Sequence, residues 1–124
     1  MYLKRVSVTV ETIADGSAEE YSEVVTGRLL SCEYVKAAAA SYTDGVDLDV
    51  TLERTGQGVW DKDNVNASVM VRPRAAVQDL VGADATTDGT RLLREPLYLY
   101  NDRIKIVLAN GGDTKTGTFH FVLG

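Results

Sequence analysis

The chain closes on Arg103-Ile104-Lys105-Ile106-Val107-Leu108, the connection Asn110-Gly111-Gly112-Asp113-Thr114-Lys115-Thr116-Gly117, and Thr118-Phe119-His120-Phe121-Val122-Leu123. Ile104, Ile106 and Leu108 alternate with Arg103, Lys105 and Val107, and Phe119, Phe121 and Leu123 alternate with Thr118, His120 and Val122. Successive strand residues point to opposite faces, so two period-2 runs around a Gly-rich connection predict a long β-hairpin with one apolar face. Burying the six apolar side chains yields roughly 9–18 kcal/mol gross. Ordering about twelve strand residues costs ~12–24 kcal/mol of backbone entropy. The pair therefore cannot stand alone, and a second sheet must cover it.

Working outward, the same alternation predicts strands over residues 2–11, 24–36 and 46–54, shorter ones at Val59-Trp60, 68–72 and 97–100, and a bulge at Gly27 in the second of these. The strand at 97–100 and the closing pair are expected to form a three-strand meander. Asp15-Gly16, Asp44-Gly45 and the stretch Thr55-Gly56-Gln57-Gly58 read as turns. Four alanines, 37–40, are too few to nucleate a helix in water and read as one turn or a loop. Residues 79–90 form the longest polar, turn-rich stretch and are expected to be a contact-making loop or arm. The fold class that follows is all-β: an antiparallel β-sandwich or jelly-roll-like barrel of about seven to nine strands. At 124 residues and 13.4 kDa, residues 1–124 are expected to form a single domain with one core.

The formal charge is −5, and the first half carries it: residues 1–62 hold six Lys/Arg against eleven Asp/Glu, residues 63–124 seven of each. Affinity for a phosphate backbone comes mainly from cationic neutralisation, so nucleic acid is a poor partner for this chain. No run of about 18 apolar residues occurs, which argues against a membrane span. The chain enters its first alternating run directly, without the apolar stretch of a secretory leader. Cys32, the single cysteine, permits no internal disulfide and reads as a small buried hydrophobe. An intracellular origin follows most simply from that cysteine usage.

Catalytic signatures are missing from the sequence. His120 is the single histidine, so multi-histidine metal sites are excluded, and a Ser-His-Asp arrangement would rest on one residue in a strand. The sequence has no Gly-x-Ser-x-Gly, no phosphate-cradling loop and no Cys-x-x-Cys, and the expectation is a protein that is not an enzyme and takes no cofactor or metal. Asp47, Asp49 and Glu53 share the outward face of one predicted strand, about 6.5–7 Å between alternate positions. They suit a solvated face that discourages edge pairing; whether Asp44, Asp47 and Asp49 hold a cation stays open. Asp61-Lys62-Asp63-Asn64-Val65-Asn66 begins like a calcium loop but lacks its glycine and its closing glutamate. Arg72, Arg74, Arg91 and Arg94 flank the long loop and are the candidate partner-binding residues, because a guanidinium fork grips carboxylates bidentately. The alternative is pairing with Asp79, Asp84, Asp88 and Glu95. Tyr98 and Tyr100 share one strand face and read as core, as an interface belt or, with Trp60, as a sugar-stacking platform.

Three stretches carry a resemblance: residues 46–57 followed by Val59-Trp60 and Asn64-Val65-Asn66-Ala67-Ser68; Arg72-Pro73-Arg74 with Arg103-Ile104-Lys105-Ile106-Val107; and Lys115-Thr116-Gly117-Thr118-Phe119-His120. Over residues 46–124 the chain resembles small accessory virion proteins of tailed phages and prophages. The resemblance implies a capsid decoration or cement protein, or a head–tail accessory part, made in the host cytoplasm and carried on the virion surface. The implied partner is the major capsid protein, bound by a homo-oligomer, a trimer by preference. It carries no catalytic residues to transfer. The reading from another class is a carbohydrate- or receptor-binding β-sandwich module.

Overall fold

Alternation becomes strand along most of the chain: β1 (Lys4–Glu11), β2 (Ala18–Tyr21), β3 (Val25–Lys36), β4 (Val46–Leu52), β5 (Gly58–Val65), β6 (Val69–Val71), β7 (Arg74–Ala76), β8 (Thr86–Thr87), β9 (Arg91–Leu92), β10 (Arg94–Asp102), β11 (Ile104–Ala109) and β12 (Thr116–Leu123). The computed structural model describes residues 3–78, 80–87, 91–92 and 94–124, with Thr87, Arg91 and Leu92 described by their backbone. Tyr2, expected to open the first strand, lies outside the described residues. One sheet has six strands in the order β1-β12-β3-β10-β7, with β6 also on β3; the second has four, β2-β11-β4-β5; β8 and β9 form a separate ribbon. Every strand pair is antiparallel. The architecture is an open β-sandwich, not a closed barrel. Among the described residues the strand count exceeds seven to nine because β2 and β7 to β9, each two to four residues long, are too short for periodicity to reveal, whereas β6 falls within the strand expected at 68–72.

The closing hairpin is not there. β11 lies between β2 and β4 in the four-stranded sheet, whereas β12 lies between β1 and β3 in the six-stranded one. The meander fails with it, since β10 pairs with β3 and β7 rather than β11. Period 2 assigns each residue a face but says nothing about which strand lies alongside. Residues 110–115 instead arch from one sheet to the other. Thr12 locks the arch, its Oγ1 donating to the Gly112 carbonyl at 2.6 Å and accepting from the Lys115 N–H at 2.9 Å. The Gly111 N–H donates to the Gly16 carbonyl at 2.8 Å, and the Gly111 carbonyl accepts from the Thr43 N–H at 3.0 Å. A Cβ on Gly111 would stand 2.9 Å from the Thr12 methyl, so the glycine serves close approach rather than a hairpin turn.

The inner faces of both sheets fill one core. Val46, Leu48, Val50 and Leu52 of β4 and Ile104, Ile106 and Leu108 of β11 meet Val6, Val8, Val10, Phe119 and Phe121, all buried. β4 and β11 are the two inner strands of their sheet, as their unbroken alternation without proline predicts. Cys32 is fully buried, and desolvation pushes its thiol up to about 12, so it is an inert core residue. Gly27, at φ +142°, sits where the β3–β10 register shifts, the expected interruption of β3. β5 runs through Asp61-Lys62-Asp63-Asn64, making the failed calcium loop a bulged strand, with Asn64 at φ +57°. Trp60 is buried at 8% exposure, which removes it from any aromatic platform.

Candidate protein-binding surface

β6 and β7 flank Pro73, and the chain changes partner there, from β3 to β10. Proline cannot donate to a ladder, so the switch falls where the sequence breaks it. Arg72 is exposed in that connection, and Arg74 and Arg94 are exposed on β7 and β10. Arg94 stands opposite Ala76 and Arg74 opposite Pro96, so the two arginines are diagonal neighbours across the pair, about 7–8 Å apart by strand geometry. Among the described residues no salt bridge involves Arg72, Arg74 or Arg94; Arg74 Nη1 donates to the Pro73 carbonyl at 2.8 Å. The expected alternative, pairing with Asp84 or Glu95, is not seen. The Arg91 side chain, Asp79 and Asp88 lie outside the described residues.

Tyr98 and Tyr100 are 59% and 74% exposed, so they are not core. They continue the outward row of β10 after Arg94 and Pro96, while Leu97 and Leu99 face inward. Tyr98 is paired with Arg28 of β3, a residue that sequence reading passes over. Nothing in the sequence signals that β3 lies beside β10, so nothing signals that Arg28 joins this surface. Met70, 49% exposed, stands opposite Glu33 on the same outer face.

Beyond β7 the chain forms an arm. The Ala85 N–H donates to the Val77 carbonyl at 2.6 Å, Gln78 bridges to Asp84, and β8 pairs with β9. The predicted loop at 79–90 is therefore partly a ribbon. Leu80 and Val81 at its first turn stand 106% and 88% exposed. Between the foot of the arm, β7 and β10 lies a groove of about 590 Å³, lined among others by Ala75, Ala76, Val77, Pro96 and Tyr98. Arginines, exposed aromatic rings and aliphatic side chains thus gather at one end of the six-stranded sheet. Such a mixture suits a protein surface, where aromatic residues and arginine carry most binding energy.

The remaining candidates sit elsewhere. Ser7 and His120 meet on the outer face of the six-stranded sheet, Ser7 Oγ 2.7 Å from His120 Nδ1, and Glu33 is the cross-strand partner of His120. The three stand in a Ser-His-acid order along one exposed sheet face. Asp44, Asp47 and Asp49 do not converge. Asp44 faces Lys36 at 3.7 Å, and Asp47 accepts from the Asn64 N–H at 3.0 Å and Asn110 Nδ2 at 2.7 Å. Among the described residues no group of three His, Cys, Asp or Glu side chains is placed to hold a metal. Asp49 lies directly opposite Asp61, and Glu53 pairs with Arg103, so this outer face is an acidic surface with its own cations. Glu19 belongs to it: the Tyr21 hydroxyl, donating at 2.7 Å, and Lys105 hold its carboxyl below the usual range. Among the described residues no helix is long and apolar enough to cross a membrane.

Compared with protein-family models and with curated protein sequences, the chain matches none.

Proposed function

We propose that this protein is a structural component of a tailed-phage virion, a capsid decoration or cement protein that binds and stabilises the major capsid shell as a homo-oligomer. The observation that supports the reading is the surface at the β7–β10 end, where Arg74, Arg94, Tyr98 and Tyr100 share the outer face beside an arm with exposed Leu80 and Val81. A cement protein needs a rigid scaffold, an arginine and apolar contact surface, and an arm that reaches a neighbour; it needs no reactive centre. The virion assignment itself rests on the sequence resemblance, and the head–tail position is its nearest variant. The test is decoration of purified, undecorated particles of a major capsid protein, chosen as the product of a capsid gene next to the gene for this chain where the genome carries one. Deleting residues 81–90, or changing Arg72 and Arg74 together to Ala, is expected to leave the fold intact and to reduce occupancy on the shell. Wild-type occupancy for both variants places the interface elsewhere.

A carbohydrate-binding role keeps one supporting observation, the two exposed tyrosines two residues apart on β10. Loss of Trp60 to the core weakens it, because two rings remain and of these Tyr98 lines the groove beside β7 while Tyr100 is not among its lining residues. Tyr98→Ala with Tyr100→Ala separates the readings: a sugar module loses glycan binding, and a shell protein loses occupancy on particles.

A further inference from the structure

A sheet that ends in an open strand presents a row of unpaired backbone groups, and folded proteins blunt such edges with short strands, bulges or charge. Among the described residues every open edge of the large sheets but one is blunted. β2 has four residues, β6 and β7 three each, and β5 carries two register shifts and Asp61-Lys62-Asp63. β1 is the exception. It runs eight residues in unbroken register with β12, without proline or bulge, and its Val6, Val8 and Val10 are buried.

The phase of its hydrogen bonding is fixed. Thr12 N–H donates to the Lys115 carbonyl at 2.8 Å, one step beyond the Glu11–Thr116 pair. In an antiparallel ladder hydrogen-bonded and non-hydrogen-bonded pairs alternate, so the even-numbered residues of β1 bond to β12. The N–H and C=O groups of Arg5, Ser7, Thr9 and Glu11 therefore point to the open side. Space is available there, a groove of about 460 Å³ running between residues 5–9 of β1 and residues 20–23.

We propose that this edge pairs with the same edge of a second copy, antiparallel about a two-fold axis through Val8. This register sets Arg5 against Glu11 of the second copy and Ser7 against Thr9 of the second copy, with the valines of both copies on the inner face. About eight backbone hydrogen bonds form, since each odd-numbered residue uses both its groups. Neighbouring registers waste the charges: centring on Ser7 leaves Glu11 against Leu3, and centring on Thr9 leaves Arg5 against Ile13. Arg5 is available, because its contact with Glu33 is exposed and 3.9 Å long. The contact is separate from the shell-binding surface of the proposed function, which lies at the opposite end of the same sheet.

Sedimentation equilibrium of the full chain over about 1–200 µM tests it, with a reversible monomer–dimer equilibrium expected. Thr9→Pro removes one N–H from the open side without touching the β12 ladder, and the expected product is a folded monomer with a wild-type circular dichroism spectrum. Arg5→Glu and Glu11→Arg each place like charges across the contact and are expected to weaken association roughly tenfold. Mixed together, those two variants restore both ion pairs in a heterodimer, so the mixture is expected to associate better than either alone. That result decides the matter should Thr9→Pro not fold. A wild-type monomer throughout the range overturns the proposal, and so does an oligomer in which mixing the two charge variants restores nothing. Decoration by the arm variants is read separately, so failure of one assignment is distinct from failure of the other.

Discussion

Gly117→Ala is expected to destabilise the protein although glycine is the weaker strand former. Gly117 lies in β12 opposite Val10 of β1 and Lys36 of β3. Replacing a strand glycine by alanine ordinarily gains about 0.5–1 kcal/mol, because the unfolded chain loses freedom. Here an added Cβ would stand 2.5 Å from Tyr42 Cε2, 2.8 Å from Tyr34 Cε1 and 2.9 Å from Tyr42 Cζ. Ordinary carbon contact is about 3.5–4.0 Å, so the Tyr42 ring must move by about 1 Å. It has little room. Tyr42 stacks on Tyr34 at 5.7 Å between centroids, Tyr34 packs on Phe119 at 5.3 Å, and the Tyr42 hydroxyl donates to the Val10 carbonyl at 2.6 Å. Overpacking of a filled core costs about 1–3 kcal/mol, which outweighs the entropic gain. The net loss, up to about 2.5 kcal/mol once the entropic gain is subtracted, lowers Tm by up to roughly 10 °C for a chain of this size. Thermal unfolding followed by circular dichroism, with urea titration at 25 °C, measures both quantities. A Gly117→Ala protein as stable as wild type, or more so, would refute the reasoning, since it would show that the ring pair yields at no cost.

Two further perturbations follow from buried polar groups. Asp102 is 5% exposed, and its Oδ1 accepts from the Arg54 N–H at 2.9 Å and the Arg103 N–H at 2.8 Å. Asp102→Ala strands both donors and is expected to cost roughly 2–4 kcal/mol in urea unfolding, while Asp102→Asn, which keeps an acceptor oxygen, costs less; equal losses for the two would show that the acceptor is not what matters. Alkaline pH should also weaken the fold. Burial pushes Cys32 up to about 12 from its ordinary 9.0 and raises Tyr34 and Tyr42. A folded-state pKa above the unfolded one contributes stability that is whole below the unfolded pKa and lost as pH rises through the folded one. The window is therefore about pH 9 to 12, and Cys32 alone accounts for roughly 4 kcal/mol across it. Urea titrations at pH 8, 10 and 11 should show a steeper decline for wild type than for Cys32→Val; parallel declines would remove Cys32 as the cause.

Faces were legible in the residues, and neighbours were not. Alternation over residues 46–54 and 103–108 assigned Val46, Leu48, Val50, Leu52, Ile104, Ile106 and Leu108 to a core, and all seven are buried. The same alternation made β11 and β12 look like a hairpin, because a period of two carries no information about the partner strand. Only the tertiary structure places them in opposite sheets and turns Gly111 from a turn residue into one that lets the arch approach Thr12. The candidate surface divides the same way. Arg72, Arg74 and Arg94 were visible as charges flanking a long loop, whereas Arg28 enters the surface only because β3 lies beside β10. Trp60 and the two tyrosines show the limit most plainly. An aromatic side chain contributes to a core or to a binding surface by the same apolar area, so composition cannot say which. Register decides it: the bulge at Val50 and Thr51 turns Trp60 inward, and the inward Leu97 and Leu99 leave Tyr98 and Tyr100 outside.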